Sequence, residues 1–283
     1  MDGSLRIGEL ARRTGVSPEL LRAWELRYGL LRPARTAGGF RLYTTADENR
    51  VRRMRQLIAD GLSAAEAARQ ADAVDEPRPA VEPPVVEGIA AQLRTALDRF
   101  DAPAAHAALD RLLASVSLDV VLADVLIPYL RDLGERWAAR RASVGQEHFA
   151  SNLLRGRLLA LARDWGSGDG PAVLLACLPG EAHDLGLVIF GLLLSRRGWR
   201  VTFLGADTPL DTVEASVRAI RPTVIVLVTI APDRLVAHAD DVRRITALIP
   251  TAIAGVVDDD AIRHLGARPL PDDIVDAAGS LTP

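Results

Sequence analysis

The apolar residues of this chain keep three different rhythms. In residues 1–71 they recur at helical spacing over short stretches separated by specific turn residues. A first amphipathic run ends at Gly15, whose missing Cβ permits a tight turn. Ser17 then caps a second helix that has Pro18 at its first position. That helix is expected to turn Leu21 and Trp24 inward and to present Arg22, Glu25, Arg27 and Tyr28. In residues 31–43, two arginine-bearing arms flank Gly38-Gly39, the pattern of a hairpin. Residues 72–85 are too rich in proline and acidic side chains to hold a helix and read as a semi-extended linker.

Residues 86–166 return to helical spacing. Leu93, Leu97 and Phe100 share a face, as do Leu109, Leu112 and Leu113, then Val121 through Leu130, then Phe149, Leu153, Leu154 and Leu158. That is a small helical bundle. From 167 to 283 the rhythm changes again. Short apolar runs at 172–178, 200–204, 223–229 and 251–255 alternate with helical stretches, as parallel strands with crossovers do. The expected fold class is multidomain, α plus α/β: a winged helix–turn–helix head, a helical bundle and a Rossmann-like parallel-sheet domain. Ligands of such sheets sit at the carboxyl ends of the strands. The loop after the first strand, Pro179-Gly180-Glu181-Ala182-His183-Asp184-Leu185-Gly186, is therefore the first candidate site.

Composition narrows the function classes. Hydrophobic residues make up 49% and charged residues 25% of the chain, a globular balance. The longest apolar run, 185–194, falls far short of the roughly 18 residues a membrane span needs. With no basic-then-apolar leader pattern, the expectation is a cytoplasmic protein. Cys177 is the sole cysteine, which excludes an internal disulfide, and its apolar surroundings mark it as a core residue. Residues 1–71 hold 13 arginines against 8 acidic residues, net +5, leaving −8 for the remainder of a chain whose total is −3. A basic head on an acidic body implies that the head alone meets a polyanion.

Over residues 5–70 the turn, the cap, Arg27-Tyr28-Gly29-Leu30, Arg32-Pro33, Arg35 and Arg41-Leu42-Tyr43 together resemble the MerR family of transcription regulators. The resemblance implies a double-stranded DNA operator, palindromic because such heads act as dimers. It places Ser17, Arg22, Arg27 and Tyr28 at the major groove. Arg41 and Tyr43 of the wing would then contact backbone or minor groove, and Arg32 and Arg35 complete the DNA-binding set. Arginines there would supply phosphate clamping more than base reading. The proline linker comes too early for the long dimerisation helix of the family. A homo-oligomer, dimer or tetramer, is therefore expected through the C-terminal part.

Glu181-x-His183-x-x-Gly186 after a first strand resembles the His-on cobalamin motif. In it the histidine ligates cobalt and the acidic residue two before it bonds the imidazole. Trp137 followed after nine residues by Glu147-His148 resembles the signature of cobalamin-dependent, MerR-type photoreceptor repressors of carotenoid genes. In that family the Trp packs over the upper face of adenosylcobalamin, with the Glu and His near the same pocket. The resemblance covers nearly the whole chain. It implies adenosylcobalamin as cofactor, His183 as its cobalt ligand, a bundle at 86–166 serving as cap, and a cobalamin-binding domain at 167–283. The cofactor contacts it implies are Trp137, Glu147, His148, Glu181, His183, Asp184, Gly186, Val228, Thr229, Ala254 and Gly255.

The sequence departs from the family in places. Photoreceptor members carry His directly after the signature Trp; here Ala138 stands there, so a bis-histidine photoproduct at that site has no ligand. The family's serine on the third strand falls near Val228, with Thr229 adjacent, and its Gly-Gly pair reads Ala254-Gly255. The expected function is a DNA-binding regulator, a repressor that senses adenosylcobalamin and responds to light, with no catalytic turnover. The alternatives are a cobalamin-independent regulator using the module for protein contact, a sensor of another tetrapyrrole, and a corrinoid methyl carrier. The DNA-binding head argues against the last.

Overall fold

A computed structural model describes residues 5–35, 39–59, 62–73, 83–255 and 257–281. It divides into two compact units, Met1–Ala80 and Val81–Pro283.

In the first unit, α1 (Ile7–Thr14) and α2 (Pro18–Tyr28) form the helix–turn–helix. Gly15 closes α1 in the left-handed conformation at φ +66°. Ser17 caps α2 by accepting from the Leu20 N–H. Strands β1 (Ala34–Arg35) and β2 (Arg41–Leu42) pair antiparallel as the wing. Gly38 of the expected hairpin turn lies outside the described residues. Helices α3 (Thr45–Ala59) and α4 (Ala64–Ala73) complete a core built on Leu10, Leu21, Trp24, Leu30, Tyr43 and Met54.

One buried carboxylate ties this unit together. Asp47 accepts from the Arg32 and Thr44 N–H groups at 3.0 and 2.8 Å and pairs with the Arg50 guanidinium at 2.5 Å. Burial pushes its pKa up, but those bonds outweigh burial and hold it below the ordinary aspartate value.

The second unit begins with the bundle: α5 (Pro83–Asp98), α6 (Ala102–Ser115), α7 (Leu118–Val120), α8 (Ile127–Ala138) and α9 (Val144–Ala160). The expected linker, 72–85, is shorter than its composition suggests. Helix α4 reaches Ala73, and α5 starts at Pro83, because prolines in a helix's first turn lose no hydrogen bond. Residues 74–82 lie outside the described residues. Between α7 and α8, residues Val121–Leu126 widen into a π-helical turn, with Ile127 N–H bonding back to Leu122. Pro128 follows directly; its ring would crowd the carbonyl four residues back, and a wider turn relieves that.

The α/β part holds five parallel strands in the order β4-β3-β5-β6-β7. These are β3 (Ala172–Cys177), β4 (Arg200–Gly205), β5 (Val224–Val228), β6 (Thr251–Ala254) and β7 (Arg268–Pro269). Helices α10 (Leu185–Arg196), α11 (Leu210–Ile220), α12 (Pro232–Ala237), α13 (Ala239–Thr246), α14 (Asp259–His264) and α15 (Ile274–Ser280) make the crossovers and flanks. The four expected strands are present within a residue or two. The two-residue β7 carries too little apolar pattern to be legible in sequence. Helix α10 is apolar on nearly all sides because it lies in the core shared by the sheet and the bundle, where Leu187 to Leu194 are buried.

Asp47→Ala is expected to destabilise the head by about 3 kcal/mol, since it removes a buried acceptor of two backbone N–H groups and of the Arg50 guanidinium. The wild-type contribution of Asp47 is complete above the unfolded aspartate's pKa of about 3.9 and is lost as pH falls toward the lower folded-state value. Thermal unfolding of both proteins from pH 7 down to pH 3 checks this: the gap between their stabilities should narrow toward the acid end.

Candidate cofactor site and nucleic-acid interface

The sheet order reverses direction between β3 and β5, and loops leaving these strands diverge there to leave a crevice. Glu181 and His183 follow β3; Thr229 follows β5. Glu181 is fully buried. Its Oε1 accepts from the His183 ring Nδ1 at 2.6 Å and the His183 backbone N–H at 3.0 Å. Oε2 accepts from Ile230 N–H at 2.9 Å, from the Arg234 guanidinium at 2.6 Å and from the Thr229 hydroxyl at 3.3 Å. Burial pushes the Glu181 pKa up, yet the Ile230 and His183 bonds and the Arg234 charge hold it below the usual glutamate value. A carboxylate accepting at Nδ1 puts a proton on that nitrogen, so in the neutral imidazole the lone pair lies at Nε2. The His183 side chain is 64% exposed, which leaves Nε2 accessible.

His183 stands at the wall of a cavity of about 660 Å³. Gly186, Val228, Ala254 and Gly255 also line it, with Phe190 and Leu270. Gly255 has φ +127°, and a Cβ there would lie 1.8 Å from the Thr229 carbonyl oxygen. Glycine is required for the ends of β5 and β6 to approach this closely. Val228 contributes cavity wall, whereas the adjacent Thr229 is buried and turns its hydroxyl to Glu181 at 3.3 Å.

Asp184 is nearly buried and takes both its oxygens to Arg155 of α9, at 2.6–3.0 Å. It joins the bundle to the histidine loop and does not line the cavity. The imidazole loop is also pinned from β4's side, where Asp207 accepts from Gly180 N–H at 2.6 Å and donates its own N–H to the Glu181 carbonyl.

Trp137, Glu147 and His148 stand on the bundle, and none of them lines that cavity. Trp137, on α8, is 51% exposed. Glu147 and His148 open α9; Glu147 accepts from His148 Nδ1 at 2.6 Å and from the Ser151 hydroxyl at 2.7 Å. Among the described residues no group of three or more His, Cys, Asp or Glu side chains gathers to hold a metal. A single imidazole with a free nitrogen beside an apolar cavity suits a macrocycle that brings its own equatorial ligands, and the residues present fit a cobalamin.

In the head, Arg22, Arg27, Arg32 and Arg41 are exposed. The Arg27 guanidinium lies over the half-buried Tyr28 ring. Arg35 sits in β1. Tyr43, expected at DNA, is a core residue instead. It is fully buried, and its hydroxyl donates to Glu25 at 2.9 Å, so it has no surface to offer a duplex. Burial, then the bond to Glu25, raises its pKa to about 12. Glu25 also accepts from Arg41 Nε at 2.8 Å, bracing the wing against α2.

The chain matches the family described as MerR HTH family regulatory protein over residues 5–73. It matches two described as B12 binding domain over residues 89–162 and 171–275. It is 34% identical over 259 residues to the HTH-type transcriptional repressor CarA of Myxococcus xanthus, covering 89% of this chain and 87% of CarA. It is 33% identical over 257 residues to the repressor CarH of the same organism, covering 88% and 86%. The chain belongs to the family of CarA and CarH. It is a DNA-binding regulator of MerR type with a cobalamin-binding module. The fold of the second unit is also that of a corrinoid protein: the Methanosarcina barkeri monomethylamine corrinoid protein aligns with TM-score 0.59 at 16% identity, over 69% of this chain and 97% of that one.

Three contacts of this regulator's site escaped sequence reasoning: Arg234 on Glu181, Arg155 on Asp184 and Asp207 on Gly180. Each pairs residues at least 27 positions apart, and no local pattern marks them. Gly255→Ala is expected to part the ends of β5 and β6 and to cost about 2 kcal/mol or more, the scale of a forced backbone at such a site. Thermal unfolding measures the loss, and a wild-type melting temperature would show that the two loops separate freely.

Proposed function

We propose that this regulator senses adenosylcobalamin, with His183 Nε2 as the lower ligand of cobalt, and that cofactor occupancy sets its occupancy of a palindromic operator. The observation that carries this reading is the geometry of His183. Its Nδ1 proton is held by a buried carboxylate, and its other nitrogen is free at the mouth of a cavity of about 660 Å³. When bound, a cobalamin would supply a cobalt centre for the His183 imidazole to hold and a light-sensitive cobalt–carbon bond. The chain's residues supply the rest. Glu181 orients the imidazole and strengthens it as a donor. Thr229, Ile230 and Arg234 fix Glu181. Gly186, Val228, Ala254 and Gly255 shape the apolar recess suited to the nucleotide tail.

In this reading the chain comprises a DNA-binding head at 1–71, a linker at 72–85, a cap at 86–166 and a holder at 167–283. Trp137, Glu147 and His148 of the bundle would contact the ligand from the cap, and Arg155 with Asp184 links cap to holder. Ser17, Arg22, Arg27, Tyr28, Arg32, Arg35 and Arg41 form the DNA surface, with Tyr43 and Glu25 behind it. The regulator works as a cytoplasmic homo-oligomer, dimer or tetramer, assembled through the second unit. Cobalt chemistry acts as a switch, not as turnover. A light response here does not run through residue 138, because Ala138 carries no ligand; His148 is the imidazole available for it.

The decisive measurement is absorbance of the purified protein with adenosylcobalamin, before and after green light, with size exclusion and DNA mobility shift on the same samples. The wild type should show a His-on spectrum, and His183→Ala should lose it. An unchanged spectrum in His183→Ala removes the ligand assignment. Identical DNA binding with and without the cofactor, in dark and light, removes the sensing role and leaves the module as a protein-contact domain. Uptake of haem in place of cobalamin selects another tetrapyrrole.

A further inference from the structure

Helix α2 carries more hydrocarbon on its outer face than a phosphate-clamping helix needs. Leu21 and Trp24 are buried against the head core. Opposite them, at i, i+3, i+4 and i+7, stand Glu19, Arg22, Ala23 and Leu26, all exposed. Leu26 is 91% exposed. Single exposed leucines are common on protein surfaces and carry no meaning by themselves. This one ends the outward strip of the second helix of a helix–turn–helix, the helix that such a motif lays into the major groove.

Its neighbours fix what it can meet. Glu25, the adjoining acid, is turned to the wing, where Arg41 and the Tyr43 hydroxyl occupy both its oxygens. After Glu19 in the first turn, the outward strip is thus made of the cation Arg22, the small Ala23 and the branched Leu26. Among the described residues, Arg22 and Leu26 make no side-chain hydrogen bond or core contact that would hold them back from a partner. The positive flanks at Arg22, Arg27 and Arg41 commit the face to a polyanion. Within the major groove, the base-pair edges offer donors, acceptors and one hydrocarbon group, the C5 methyl of thymine.

We infer that Ala23 and Leu26 are specificity-determining residues that read thymine methyl groups in the operator half-site, with Arg22 contacting the duplex beside them. Leu26 covers a methyl at the far end of the strip, and Ala23 admits a second one turn earlier. Glu25 acts on recognition indirectly, by holding the wing at a fixed angle to this strip. The inference rests on the DNA-binding head alone and is independent of the cofactor.

Substituting deoxyuridine for thymine tests it, because that change deletes the methyl and leaves every hydrogen-bonding group in place. A duplex is first selected from a random-sequence library with the full chain, with or without adenosylcobalamin, whichever state gives the tighter complex. Each thymine of that duplex is then replaced in turn. For the wild type, one or two positions should lose affinity by about fourfold, the value of one buried methyl group. In Leu26→Ala the penalty should vanish at one of these positions, while the salt dependence of binding and the affinity for unrelated DNA stay unchanged. Deoxyuridine tolerated at every position overturns the inference. So does a penalty that persists in Leu26→Ala, a loss in Leu26→Ala that is equal for all duplexes, or a selected half-site without thymine. Leu26 packs against nothing in the core, so the variant keeps the fold, and wild-type thermal unfolding verifies that.

Discussion

The second unit is organised around one buried carboxylate. Glu181 sits with no solvent exposure at the point where the sheet reverses direction, and five donors from four residues converge on it. An unpaired carboxylate in such a place costs several kcal/mol, on the order of what a whole domain has to spare. The convergence is therefore a structural requirement before it is a functional one. It fixes the loop after β3 to the loop after β5 and to α12. As a by-product it decides which nitrogen of His183 keeps its proton. Arg234 makes the arrangement more than a relay of neutral groups, since a cation shares the carboxylate with the imidazole.

The bundle and the sheet meet through two kinds of contact. Helix α10 supplies an apolar surface with no outward side, so the two layers share one core. Arg155 and Asp184 supply a directional link, a bidentate pair from the middle of α9 to the residue next to His183. Apolar packing tolerates small sliding movements; a fork-shaped ion pair does not. A shift of α9 thus reaches the histidine loop through one defined pair. Glu147 and His148 sit on that same helix, and Trp137 on α8 before it.

In the head the same economy appears on a smaller scale. Asp47 closes the turn between wing and α3, while Glu25 holds the wing to α2. Tyr43 shows how these braces can mislead a sequence reading. A tyrosine beside an arginine in a wing looks like a phosphate contact. Its ring instead fills the head core, and its hydroxyl is consumed by Glu25. Meanwhile Leu26, which sequence patterning passes over as one more helical leucine, is the side chain left outside.

What the sequence determined by itself was whatever repeats at short range. Helical spacing, strand-length apolar runs, the Ser17 cap, the Gly15 turn and the acid-x-His loop are all local, and local rules place them correctly. Tertiary structure decided the partners. Arg234 and Thr229 for Glu181 depend on which loops the sheet order brings side by side, Arg155 for Asp184 on how α9 packs beside the sheet, and burial of Tyr43 on the packing of the head. It also decided that Gly255 must be glycine, because the Thr229 carbonyl lies where a Cβ would stand. The physical reason is range: backbone propensity is set within a few residues, whereas pairing of a buried charge is set by chain folding that joins positions as far apart as 181 and 234.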